Sequence, residues 1–370
     1  MGFLKRIDWV LLFSALAISL LGVISMYEFG AVNQFAPRQA VWLLLGTLLF
    51  FAAHFIDWRF LRRTVSVVVI YLAAVALLAL LFVLGATFQG AQSWFDVGAF
   101  AIQPADPAKL ALIILLAKYF SRRHIEIARM RHILVSGAYM FVVFVLLFLQ
   151  PDFGSAIIVA GLWAGVILLA GIPLRHLALL VGVAAVAGGL LWSFAFADYQ
   201  KDRILTFLHP LADIEGVGYN AFQSTVAVGS GGLWGKGVGY GTQSRLQFLP
   251  EHETDFIFAA FAEEWGFGGV LILLGLFGTL LYRLVVHARY GATNFETLFA
   301  LGVAVLIVVH ATIHIGMNIG LLPVTGTTLP FMSYGGSHLL TGYLMLGMVS
   351  SMRRYGRLVH EDIRHEVVGA

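Results

Sequence analysis

The sequence predicts an all-α, polytopic integral membrane protein with about ten transmembrane helices. The chain is 60% apolar and only 12% charged, whereas soluble domains are about 45–50% apolar and about 25% charged. Apolar runs recur from Val10 to Met348, and no long polar block between them could fold separately. Residues 1–370 are therefore expected to form a single transmembrane domain.

Ten segments carry this prediction, because a bilayer core of about 30 Å requires about 20 mostly apolar helical residues. They cover residues 9–27, 39–56, 65–86, 107–120, 133–149, 154–171, 175–197, 255–282, 296–319 and 336–352. The first has a basic flank like a signal peptide, but it lacks a small-x-small cleavage site and further spans follow, so we expect it to be retained. The short fourth segment starts at Pro107, which is favourable at a first helical position.

The basic residues predict the orientation, because Lys and Arg are retained preferentially on the cytoplasmic side. With the N-terminus inside, 17 of the 23 basic residues fall in cytoplasmic segments. The six others are Arg38, Lys109, Lys201, Arg203, Lys236 and Arg245. Both termini are thus predicted to be cytoplasmic.

The outward side then carries one long loop between the seventh and eighth helices, residues 198–254, far beyond the usual connection of about 4–6 residues. Residues 88–109 and 320–337 form two further outward loops, which together predict a single outward-facing site. Cysteine is absent, which excludes a thiol nucleophile, a disulfide and a Cys-ligated metal. The net charge of +3 reflects loop orientation, and no nucleic-acid partner is expected.

A cluster of carboxylates surrounds the start of the eighth helix: Glu251, Glu253, Asp255, Glu263 and Glu264. Asp255 either stabilises the helix N-terminus or acts as a general base at the water–lipid boundary. Glu263 and Glu264 lie about 12–13 Å further along the helix. There, either Glu263 serves the same cavity as Asp255 or both carboxyls bond to another helix.

Asp106 and Lys109 lie three residues apart on one face at the start of the fourth helix. An intrahelical ion pair fits this spacing, and so does a site in which Lys109 faces an anion and Asp106 orients it. Asp152, in QPDFGS, is expected to cap the following helix. His310 and His314 share a helix face, but no third metal ligand is evident, so we predict no metal site and favour interhelical hydrogen bonds.

The glycine run GSGGLWGKGVGYG, residues 229–241, invites comparison with phosphate-binding loops. Lys236 is followed by Gly237 rather than by Ser or Thr, and no GxGxxG spacing fits. A closely packed loop at the membrane surface is therefore favoured over a nucleotide site.

Five motifs together resemble the SEDS family (shape, elongation, division and sporulation): QPADPAKLA, QPDFGSA, GSGGLWGKG, FLPEHETDFIFAAFAEEWGF and PFMSYGGS. The resemblance covers nearly the whole chain. It implies an enzyme of the bacterial cytoplasmic (inner) membrane, with its active site facing outward, that polymerises peptidoglycan glycan from lipid II. It also implies a class B penicillin-binding protein as partner. The short N-terminus and DYQKDRIL, residues 198–205, favour the elongation branch over the division branch.

By this resemblance the essential acid of the family falls on Asp255, and its basic and acidic residues near the fourth helix fall on Lys109 and Asp106, where the family most often has Glu. Further candidates for substrate binding are Asp152, Arg203, Arg245 and Ser333. No cofactor is implied, and a divalent cation stays open as an aid to the diphosphate.

Two other function classes fit ten spans with buried carboxylates. One is a flippase or other transporter of lipid-linked precursors, which should place its site near the midplane of the membrane. The other is a non-catalytic scaffold for a synthase partner. The acidic and basic candidates collect at one membrane face, which favours the polymerase.

Overall fold

The computed structural model describes residues 7–27, 35–88, 91–96, 101–122, 130–194, 196, 198–209, 218–246 and 248–368. The chain is mostly helical, as predicted. The helices are α1 Trp9–Tyr27, α2 Phe35–Phe55, a 3-10 helix Trp58–Arg62, α3 Thr64–Leu84, α4 Ala105–Ser121, α5 Met130–Leu149, α6 Phe153–Leu169, α7 Leu174–Phe194, α8 Asp198–Leu208, α9 Tyr219–Ser230, α10 Thr242–Arg245, α11 Ile257–Arg289, α12 Asn294–Asn318 and α13 Gly336–Val368.

Each of the ten predicted segments overlaps one of the helices α1–α7 and α11–α13. Among the described residues, six helices are long and apolar enough to cross a membrane, namely α1, α2, α3, α5, α11 and α12. Two shorter apolar segments, Phe153–Leu169 and Ala178–Phe194, lie between α5 and α8. The chain therefore has the architecture of a polytopic membrane protein.

The structure differs from the all-α prediction in one place, where a small antiparallel sheet forms between α3 and α4. Its strands are β1 Ala86–Phe88, β2 Ala91–Asp96 and β3 Ala101–Ile102, in the order β1-β2-β3. Strands β1 and β3 have only three and two residues, and the six residues of β2, AQSWFD, do not alternate between apolar and polar. Pairing gives their backbone groups hydrogen-bond partners.

The bundle centres on α4 and α12. Helix α12 packs against α4, α6 and α11, while α1 packs against α2 and α11, and α2 packs against α13. Gly161 and Gly165 of α6 face Val309 and Val305 of α12 so closely that a Cβ at either glycine would contact the valine. Small residues of this kind allow membrane helices to approach closely.

The long segment 198–254 contains helices α8, α9 and α10 rather than bare coil. It leads into α11, which continues past the predicted end at residue 282 to Arg289. Within α11, Gly266 has φ 65° and ψ −169°, which breaks the helical conformation. A side chain would be strained in this conformation, so glycine is needed at the break.

At the end of the bundle where α1 begins, Asp8 forms a buried ionic cluster. His287 Nε2 lies 2.7 Å from Asp8 Oδ2, Arg283 Nε donates at 3.0 Å and Arg353 Nη1 at 3.3 Å. Burial alone would raise the pKa of Asp8, but hydrogen bonds from His287 and Arg283 outweigh it and hold the pKa below its ordinary value. The cluster ties the start of α1 to α11 and α13.

Candidate active site

Asp255 lies in the turn just before α11, at the opposite end of that helix from the Asp8 cluster. Phe256, not Asp255, is the N-cap residue, and no side chain caps α11 there. Asp255 is half-buried, and a Cβ built on Gly326 would lie 3.3 Å from its Oδ2. The carboxylate therefore faces the 320–337 loop.

Hydrogen bonds to three consecutive backbone carbonyls hold the turn that carries Asp255. Tyr334 N donates to Glu253 O at 2.8 Å, Ser333 Oγ donates to Thr254 O at 2.8 Å, and Asn318 Nδ2 donates to Asp255 O at 3.0 Å. The donors belong to the 320–337 loop and to the last residue of α12. The turn is therefore held through its main chain.

Ser333 is only 2% exposed. Its hydroxyl donates to the Thr254 carbonyl and accepts from Leu329 N at 2.8 Å. In this arrangement Ser333 positions the turn that carries Asp255. Its predicted contact with substrate stays a prediction.

Two buried amides support the same turn and were not among the sequence-based candidates. Gln39 of α2 donates to Ser333 O at 3.0 Å and accepts from Gly335 N at 3.3 Å. Asn318 also accepts from Ala259 N at 3.1 Å and donates to His314 O at 2.8 Å. The signal that could have revealed them is an amide within an apolar helix, where a polar group must find a partner.

Asp106 and Lys109 form a buried ion pair in the first turns of α4. Lys109 Nζ lies 3.1 Å from Asp106 Oδ1, and the side chains are 4% and 3% exposed. His338 of α13, which the sequence did not single out, places its Nδ1 3.3 Å from the same oxygen. Asp106 Oδ2 is buried and has no hydrogen-bond partner among the residues that the structure describes.

Asp152 caps α6, as predicted, by accepting from Ser155 N at 3.0 Å. Its second oxygen accepts from Gln103 Nε2 at 3.2 Å, and Gln103 N donates to Ser337 Oγ at 3.0 Å. Asp152 is thereby linked to the start of α4 and the start of α13, close in sequence to Asp106 and His338. Its predicted role in substrate binding stays a prediction.

His310 and His314 connect α12 to the 320–337 loop rather than to another helix, so the expected interhelical bonds are replaced by loop bonds. His314 Nδ1 donates to Thr327 O at 2.6 Å, and His310 Nδ1 donates to Thr328 O at 3.3 Å. The ring of His310 also packs on His338, with ring centroids 4.9 Å apart. One loop therefore contacts both the Asp255 carboxylate and the histidines beside the Asp106–Lys109 pair.

The glycine run packs closely on α11. Fully buried Glu263 accepts from Lys236 Nζ at 2.7 Å, from Thr242 Oγ1 at 3.1 Å and from Gln243 N at 3.0 Å. A Cβ at Gly235 would overlap the carbonyl of Glu264. Lys236 is thus paired with a carboxylate of its own chain, as suits a packed loop. One alternative for Glu263 was a bond to another helix; the helix that it contacts is the short α10, which carries Thr242 and Gln243, and not one of the ten predicted spans.

Comparison with known protein families identifies the family of this chain. The family model for FtsW, RodA and SpoVE proteins, described as "Cell cycle protein", matches residues 4–358. The chain belongs to the FtsW/RodA/SpoVE family. This result confirms the resemblance to SEDS proteins that the five motifs indicated.

Individual members of the FtsW/RodA/SpoVE family are similar along most of their length. The peptidoglycan glycosyltransferase MrdB of Escherichia coli (strain K12) is 37% identical over 294 residues, which are 80% of this chain and 79% of MrdB. The rod shape determining protein RodA of Thermus thermophilus has 34% identity and a TM-score of 0.71, covering 96% of this chain and 98% of RodA. A chain from a structure on polymerization and crosslinking by a peptidoglycan synthase complex has 34% identity and a TM-score of 0.81, covering 95% and 98%.

The two predicted arginines of this FtsW/RodA/SpoVE protein belong to short helices within residues 198–254. Arg245 ends the short helix α10 and is exposed. Arg203 belongs to α8, but its side chain lies outside the described part of the chain. Both stay predicted ligands of the substrate.

Proposed function

We propose that this chain is an inverting peptidoglycan glycosyltransferase that polymerises lipid II into glycan strands during cell elongation and releases undecaprenyl diphosphate. The relative from Escherichia coli carries the name of this activity. The observation that carries the proposal is the half-buried carboxylate of Asp255, whose backbone carbonyl is fixed by Asn318 and whose Oδ2 faces Gly326.

The reaction needs one base, one electrophile and one stabilised leaving group. Asp255 takes the proton from the 4-hydroxyl of the acceptor GlcNAc as that oxygen attacks the anomeric carbon of the donor MurNAc with inversion. A diphosphate leaves as a stable anion, so no general acid is required, unlike in glycoside hydrolases. Lys109, Arg203 and Arg245 bind the diphosphates through charge-assisted hydrogen bonds.

The topology that suits this reaction has ten spans in one domain, residues 1–370, with both termini cytoplasmic and the 198–254 loop outside. The protein then lies in the bacterial cytoplasmic membrane as a multi-pass enzyme whose active site faces outward. In support, Asp255 and the Asp8 cluster lie at opposite ends of α11. The basic residues Arg283 and Arg353 accompany Asp8, as expected of a cytoplasmic end.

A class B penicillin-binding protein is the proposed partner, since the new strands need crosslinking. In support, a chain with a TM-score of 0.81 comes from a peptidoglycan synthase complex described as coordinating polymerization and crosslinking. Membrane lipids, including the polyprenyl chains of lipid II, are expected between the helices.

The test is polymerisation of purified lipid II by the purified protein, alone and with its partner, with moenomycin added to silence contaminating transglycosylases. Asp255→Asn should lower the rate by about 10²-fold or more, the usual contribution of a general base, while the variant folds and binds its partner normally. The matched control is Asp57→Asn, which removes a carboxylate paired with exposed Arg59. Near-normal glycan from Asp255→Asn would refute the proposal, and movement of lipid II across a liposome without polymer would favour the transporter.

A further inference from the structure

The starting point is that Lys109 is already paired. Its side chain is 4% exposed, and its Nζ lies 3.1 Å from Asp106 Oδ1. If Lys109 binds the diphosphate of the substrate, as the proposed function requires, it must give up some of this pairing. A buried carboxylate that loses its only cation is strongly destabilised, so the exchange needs a replacement for Lys109.

The structure holds a suitable replacement beside the pair. His338 Nδ1 lies 3.3 Å from the oxygen of Asp106 that Lys109 contacts. Asp106 Oδ2 is buried without a partner in the described part of the chain, so the carboxylate has capacity for a further donor. The side chain of His338 is 15% exposed, more than either member of the pair.

The surroundings of His338 hold its ring in this place. The ring packs against His310, which is bonded through its Nδ1 to Thr328 O. Asp106 from α4 lies within hydrogen-bond distance of His338, His310 from α12 packs on its ring, and Lys109 contacts the same oxygen of Asp106. An imidazolium at this position would meet one carboxylate directly.

We propose that His338 is a second counter-ion for Asp106, which takes over that carboxylate when Lys109 turns to the diphosphate of lipid II. This inference rests on the proposed function. His338 is then a positioning residue: it does not touch the substrate, and it acts by keeping Asp106 neutralised while Lys109 is engaged. No covalent bond changes, and the only event is an exchange of hydrogen-bond donors at Asp106.

The test is a double-mutant cycle on the KM for lipid II, in the purified protein with its partner. His338→Ala should raise KM about 10-fold, which is the size of a typical coupling between contacting residues, and should change kcat much less. In the Asp106→Asn background the same substitution should leave KM unchanged, because a neutral amide needs no counter-ion. An equal rise of KM in both backgrounds would overturn the inference.

Two further variants separate charge from packing. His338→Arg keeps a cation and should restore most of the affinity, whereas His338→Gln keeps a hydrogen-bond donor without charge and should not. Full recovery with His338→Gln would show that a neutral hydrogen bond suffices and would overturn the counter-ion role. His132→Ala removes a histidine that contacts Tyr119 Oη at 3.0 Å away from this cluster, and it should leave KM unchanged.

The outcomes also separate this inference from the proposed function. If the unmodified protein makes no glycan from lipid II, or if Asp255→Asn does, the proposed function fails. If the protein makes glycan through Asp255 and the effects of His338→Ala and Asp106→Asn on KM are additive, only the role of His338 fails.

Discussion

Two buried aspartates at opposite ends of the bundle show how differently the same side chain can be used. Asp8 receives hydrogen bonds from Arg283 and Arg353 and lies 2.7 Å from His287, so several cationic groups surround it. Asp106 has Lys109 and His338 on one oxygen, while its other oxygen has no partner among the described residues.

The two carboxylates differ in how many cationic and hydrogen-bond donor groups contact their oxygens. A carboxylate surrounded by several cations has no reason to change partners, so the Asp8 cluster suits a structural clamp between α1, α11 and α13. A carboxylate with competing donors on one oxygen and an open acceptor on the other can exchange partners at low cost. We therefore expect substitutions at the Asp8 end to change mainly stability, and substitutions at the Asp106 and Asp255 end to change mainly the kinetics of glycan formation, through KM or kcat.

The largest effect on stability is expected from Asp8→Ala. It leaves the partly buried Arg283 and the buried His287 without their anion, which costs about 3–5 kcal/mol of the free energy of unfolding. Thermal unfolding in detergent measures this loss, and the specific activity of the protein that remains folded should be unchanged. If Asp8→Ala lost activity without losing stability, the Asp8 cluster would not have the purely structural role that separates it from the Asp106 and Asp255 end.

The stability contributed by Asp8 should depend on pH. Because its pKa in the folded protein lies below its ordinary value, the unfolded chain takes up the proton first as the pH falls. The contribution is full at neutral pH and is lost progressively below about pH 4, the ordinary range of aspartate. The stability gap between the unmodified protein and Asp8→Asn should therefore narrow on acidification, and a gap that widened would contradict the assignment.

A smaller loss of stability is expected from Ser333→Ala at the other end. It removes the hydroxyl that bonds to both Thr254 O and Leu329 N, at a cost of about 1–3 kcal/mol. Because the Asp255 turn is then free to shift, the rate of glycan formation should fall by about 10- to 100-fold. The control is Ser14→Ala, whose hydroxyl donates within its own helix to Leu11 O, and equal rates for the two variants would show that Ser333 does not position Asp255.

The smallest effect is expected from Asp57→Asn, which removes the charge but keeps a side-chain oxygen that can cap the 3-10 helix by accepting from Arg59 N. Asp57 and Arg59 form an ion pair whose side chains are 46% and 59% exposed, and exposed pairs contribute about 0–1 kcal/mol. Thermal unfolding should therefore hardly change. A loss as large as that of Asp8→Ala would show that burial does not distinguish the two pairs.

The sequence was sufficient to locate the long apolar helices, but not α8, α9 and α10, because a bilayer imposes a length and an apolar composition only on the spans. It also revealed the family, because the motifs around Asp106, Asp152 and Asp255 keep their spacing along the chain. The cap at Asp152 was predictable for the same reason: it depends on residues three positions apart.

What the sequence could not reveal depends on contacts between distant segments. His338 meets Asp106 across 232 positions, and Gln39 meets Ser333 across 294. For Glu263 the sequence left two alternatives open, and its partners lie 20 to 27 positions away in the 198–254 segment, whose path cannot be derived from composition. Pairings of this kind follow from tertiary packing, which leaves no periodic trace.

The hydrogen bonds to the backbone carbonyls of Glu253, Thr254 and Asp255 have a consequence for chemical rescue of Asp255 variants. Those contacts run to the main chain, so shortening the side chain at position 255 would leave the scaffold around it in place and open a recess the size of a carboxyl group. Formate supplied in the buffer to an Asp255→Gly enzyme could then bind in this cavity and accept the proton of the acceptor 4-hydroxyl in place of the missing carboxylate.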